Sequence, residues 1–195
     1  MHRVEATLVN PVFFLADVGV PMLFLTLPLM VCALLPAILV EAYVGKPLLK
    51  VSYGRSAWVF SVANVASTIV GVPAAWMAMF GLEFIFGTAV GPLVSEKALA
   101  APVSKVIAVI MSSAWLAPVE SDLYWAVPLA AMVLLIPSFF ASWYLEAFVL
   151  DLMMVDEEWP TVRSASFKAN LASYSLLFVC GSVWLIASLL WRAAK

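Results

Sequence analysis

Four long apolar stretches, separated by short polar ones, account for most of the chain. The first, Pro21 to Val44, carries no charge before Glu41. At about 1.5 Å per residue it is long enough for the roughly 30 Å hydrocarbon layer of a bilayer. The others run from about Ala57 to Phe80, Leu123 to Leu150 and Phe167 to Leu190. Each predicts a membrane-spanning helix. Trp58 and Trp76 stand 18 residues apart, as do Trp125 and Trp143, which would place one aromatic residue at each interface of a span. Pro28 and Pro36 inside the first stretch predict a bend against a partner helix.

Between the spans the pattern changes. Gly45 to Ser56 reads as a short basic loop with Lys46, Lys50 and Arg55, and Pro47 and Gly54 as breakers. The loop after the third span is acidic, with Asp151, Asp156, Glu157 and Glu158. The region from Gly81 to Asp122 is apolar but broken by Glu83, Pro92, Glu96, Lys97, Pro102, Lys105 and Pro118. Within it Val103, Val106, Ile107, Ile110, Met111 and Ala114 share one helical stripe, opposite Ser104, Lys105 and Ser112. That suits a helix lying at the interface; the alternative is a full crossing from Ala98 to Ala117 with Lys105 in the layer. Residues 1 to 20 are too short and interrupted for a span and read as a second interfacial or re-entrant helix, retained from Met1 because no cleavage pattern follows. Lys and Arg divide evenly between the two sides, so orientation stays open.

A repeated frame links the halves. Glu41-Ala-Tyr-Val is followed 23 positions after Glu41 by Asn64, within Ala-Asn-Val-Ala-Ser67; Glu146-Ala-Phe-Val is followed after 24 positions by Asn170, within Ala-Asn-Leu-Ala-Ser173. Asn occurs at only one other position, Asn10, so the match is not a by-product of apolar composition. It predicts two duplicated helical hairpins, about 21–80 and 123–195, with an insert at 81–122, in one transmembrane domain spanning 1–195. Ala63, Ser67 and Gly71 form a small-residue ladder that lets another helix come close.

Composition agrees: 65% hydrophobic residues, 11% charged and a mean hydropathy of +1.07 describe an all-α integral membrane protein, a four-span bundle of two hairpins with interfacial helices at the N-terminus and between the halves. Net charge of −2 offers no basic surface for nucleic acid. A single histidine, His2, and two cysteines, Cys32 and Cys180, supply neither paired haem ligands nor a zinc set. No cofactor, metal or disulfide is therefore expected. The chain is expected in a bacterial inner membrane, in contact with lipid and with other membrane subunits or further copies of itself.

The polar positions with candidate roles are Glu41, Asn64, Ser67, Glu146, Lys168, Asn170 and Ser173. The reading favoured on sequence is packing: the asparagines hydrogen-bond across each hairpin and the glutamates mark, at headgroup level, where helices leave the lipid. Lys168 then either pairs with Glu146 or snorkels to headgroups. This makes the chain a non-catalytic accessory subunit of a larger membrane assembly. The alternative is a small oligomeric transporter or channel using the Glu and Asn pairs. An enzyme is disfavoured, since no intramembrane histidine and no nucleophile elbow is present.

Overall fold

The computed structural model describes residues 19–90, 102–116 and 120–194. The N-terminal helix expected in residues 1–20 lies almost wholly outside them, as does Lys97. Helix α1 runs Met22–Leu48, α2 Tyr53–Ala66, a π-helical turn Ser67–Gly71, α3 Val72–Val90, α4 Pro102–Met111, α5 Leu123–Met153 and α6 Trp159–Ala193. Four helical segments, with α2, the π turn and α3 counted as one, are long and apolar enough to cross a membrane.

The helices are longer than the apolar stretches that announce them. Pro47 and Gly54, expected as breakers, lie inside α1 and α2, as does Gly45, where the loop was expected to begin, and only residues 49–52 separate the two helices. Gly45 survives in the helix because its missing side chain leaves room for the Phe60 ring. The turn is made instead by Lys50, which takes a left-handed conformation (φ 50°), and by Ser52, whose hydroxyl caps α2 at the Arg55 N–H. At the other loop Pro160 sits in the first turn of α6, where a missing N–H costs nothing. The π turn lies where Pro73 faces the Ile69 carbonyl four residues back; a ring without an N–H cannot continue the α ladder, and the helix widens.

Helix α1 packs on α2 and α6, α2 on α5, and α5 on α6. At Gly71 α5 comes close to the second span: a Cβ there would stand 3.0 Å from Leu145 Cδ1 and 3.6 Å from the Ala141 backbone. Two apolar cores result. One, near the loops, contains Leu49, Val59, Phe60, Leu150 and Val162; the other, at the far end, contains Met22, Val109, Leu116, Ala126 and Leu134. A polar layer lies between them.

The far end holds a connection that the sequence pattern does not announce. Strand β1, Val20–Pro21, pairs antiparallel with β2, Trp115–Leu116. The Ala114 carbonyl accepts the Met22 N–H at 3.0 Å and the Trp76 indole N–H at 2.8 Å, and Glu83 accepts the Trp115 N–H at 3.0 Å. Trp76 is thus half-buried, with its indole N–H committed to this strap. Helix α4 ends at Met111, so no single helix crosses from Ala98 to Ala117. Its stripe of Val103, Val106, Ile107, Ile110 and Met111 faces outward; Val109 is the side chain it buries.

Candidate functional site

Six of the seven singled-out residues meet in the polar layer. Glu41 lies seven residues before the end of α1 and Glu146 seven before the end of α5; Asn64 and Asn170 each lie eleven after the start of α2 and α6. Equal offsets bring both glutamates and both asparagines to one level of the bundle. All are inside it: Glu41 and Glu146 are 1% exposed and Asn170 fully buried. The sequence reading took the glutamates as marking where helices leave the lipid; α1 continues to Leu48 and α5 to Met153, and both carboxylates point into the bundle.

The hydrogen bonds follow a crosswise plan. Within each hairpin, Asn64 donates to Glu41 Oε2, and Asn170 donates to Glu146 Oε2 at 2.6 Å. Between hairpins, Ser67 meets Glu146 Oε1 at 2.8 Å and Ser173 meets Glu41 Oε1. Each carboxylate is therefore held by the asparagine of its own hairpin and the serine of the other. The orientation of the amides is fixed by their surroundings. Each Nδ2 also donates one helical turn back, Asn64 to the Phe60 carbonyl at 3.0 Å and Asn170 to the Ser166 carbonyl at 3.2 Å. A carbonyl only accepts, so the nitrogen must face it.

Lys168 does not join the cluster. It is exposed on α6, and among the described residues the ion pair formed is Lys105 to Asp122, at 2.9 Å, tying α4 to the start of α5. That hydrogen bond holds the Asp122 carboxyl below its ordinary range. Cys32 and Cys180 are free and exposed.

A crevice of about 40 Å³ adjoins the polar layer, lined by both glutamates, Asn64 and Ser67, and running towards Met30 and Leu177. A water molecule needs roughly 10–15 Å³ measured in this way, so the crevice has room for water. Thr68, Ser142 and Tyr174 add hydroxyls to its wall, and the Ser142 and Tyr174 hydroxyls are bonded to each other at 2.8 Å. The sequence reading placed Thr68 on nearly the same helix face as Asn64 without a role at the site, and missed Ser142 and Tyr174. Thr68 and Tyr174 do each follow the serine of the repeated frame, a signal obscured by their difference in size. Among the described residues no group of three or more His, Cys, Asp or Glu side chains forms a metal site. Comparison of the chain with protein-family models, with curated proteins and with solved structures finds no match.

Proposed function

We propose that this chain is a small multi-pass transporter or channel in which Glu41 and Glu146 together form the ion-handling site. The observation that carries the proposal is the meeting of two buried carboxylates in the core of an apolar bundle, with no cation beside them among the described residues. As a packing device this is expensive. Burying an ion costs several kcal/mol even after relaxation, and glutamine at both positions could accept the same asparagine hydrogen bonds without that cost. Acidic groups in such a place are accounted for by a role that needs charge. The adjoining crevice gives the pair a wet side.

The same reading takes the chain as two homologous hairpins side by side, related by an axis along the membrane normal, as in transporters built from parallel repeats. Equal helix offsets and crosswise bonding support the duplication. Helix α4, with its apolar stripe outward, suits the interface of a bacterial inner membrane, its Lys105 and Asp122 towards headgroups. A second reading, an accessory subunit in a larger assembly, draws on the thinness of the packing: 6% of the best apolar window of α1 is buried inside the chain, against 28% for α5. A partner helix or a second copy could cover that face; so would lipid.

Reconstitution in liposomes separates the two. A transporter moves protons or monovalent cations down an imposed gradient, and Glu41→Gln or Glu146→Gln lowers the flux by roughly tenfold or more, about 1.4 kcal/mol of the barrier, while the helical content is kept. An absence of flux for every ion, with stable co-purification of other membrane subunits, replaces this reading with the accessory one.

A further inference from the structure

We infer that the ligand of this site is a single proton, shared between Glu41 and Glu146. The inference rests on reading the pair as ion-handling and names the ion. It follows from counting hydrogens. Each asparagine amide has two, and one of them is spent on the carbonyl a turn back. Each serine hydroxyl has one hydrogen and two acceptors in reach: for Ser67 the Asn64 carbonyl at 3.1 Å and Glu146 at 2.8 Å, for Ser173 the Asn170 carbonyl at 3.1 Å and Glu41. At most four hydrogens therefore reach the carboxylates, and only if both serines give up the backbone. An acceptor is still left over. Asn170 Oδ1 is buried without a partner, on the same amide whose nitrogen lies 2.6 Å from Glu146.

Among the described residues no positive group makes up the deficit. The titratable side chain facing the pair from α6 is Tyr174, whose hydroxyl is engaged with Ser142; α2 and the π turn present Asn64, Ser67 and Thr68, none of which titrates. From α1 and α5 the pair faces only itself, and Lys46, Arg55, Arg163 and Lys168 are exposed. A buried site with two negative charges, too few protein hydrogens and one idle acceptor lacks one positive hydrogen. One added proton leaves a single charge spread over two carboxyls and lets a serine return its hydrogen to the backbone. A metal ion fits less well, because amide N–H groups that face the carboxylate oxygens would point their positive ends at it. The crevice, with room for water and a wall of hydroxyls, gives the proton an approach from the side of Met30 and Leu177.

Infrared difference spectroscopy of the full chain in lipid bilayers, in light and heavy water, tests this. The wild type is expected to show at neutral pH one protonated-carboxyl carbonyl band that shifts on deuteration and is missing from the E41Q/E146Q double variant. In either single glutamine variant the carboxamide takes the place of the neutral acid, and the band is lost as well. Carbon-13 labelling of glutamate in the wild type shifts the same band, so the result survives variants that fail to fold. A wild type with both carboxylates ionised, with two protonated carboxyls, or with a band that emerges only when sodium or calcium is removed, overturns the inference. A band without liposome flux leaves the proton site standing and removes the transport reading; flux without a band does the reverse.

Discussion

At the scale of single residues, the two hairpins solve one packing problem in opposite ways. The first hairpin has Gly45 under Phe60. The same frame positions in the second carry Leu150 and Ser166, large and small exchanged. Gly45→Ala would drive a methyl group into the Phe60 ring and is expected to cost about 1–3 kcal/mol, the usual penalty of overpacking. Gly45→Leu should cost more, and combining it with Phe60→Ser, which copies the second hairpin, should restore most of the loss. Thermal unfolding midpoints in detergent measure all three. An unrecovered double variant would argue against equivalent positions in the two hairpins.

At the scale of elements, the strap between α3 and α5 depends on a few polar contacts. Glu83→Leu leaves the Trp115 N–H without its acceptor and is expected to cost about 1–3 kcal/mol, read as faster hydrogen exchange at residues 114–116. Glu83→Gln keeps an acceptor and should exchange like the wild type. The tie between α4 and α5 is sensitive to pH in a known direction. The hydrogen bond from Lys105 lowers the Asp122 pKa, so the stabilisation is fully present above the ordinary Asp value of about 3.9 and is lost as pH falls through the lower folded value. Protection factors within α4, the exchange rates corrected for the intrinsic pH dependence of amide exchange, should be flat from neutral to mildly acidic pH and fall only in strong acid, and Asp122→Asn should show the lowered protection at every pH.

At the scale of the molecule, the spans and the repeated frame could be read from sequence because they rest on strong signals, long uncharged runs and a rare asparagine recurring at matched spacing. Burial and pairing could not. The level of Glu41 depends on where α1 ends, and Gly45 and Pro47 imitate a terminus that tertiary packing overrides. The exchange of serine partners depends on how the hairpins face each other, and a repeat within each half carries no information about that. The strap joining Val20–Pro21 to Trp115–Leu116 is too short to leave a period. Lys168, the charged residue nearest the frame in sequence, was a natural candidate partner for Glu146, but the helical turn that brings Asn170 inward carries Lys168 outward.

That crosswise joining of the halves is the claim on which the rest depends, and a double-mutant cycle tests it directly. Ser67→Ala and Glu146→Ala, alone and together, should show a coupling energy of about 0.5–3 kcal/mol in unfolding measurements. Ser173→Ala with Glu41→Ala should show a similar value, while Ser182→Ala, whose hydroxyl bonds the Phe178 carbonyl instead, combined with Glu146→Ala should be additive. Additivity in both serine–glutamate cycles would contradict the crosswise site and the ion-handling role built on it.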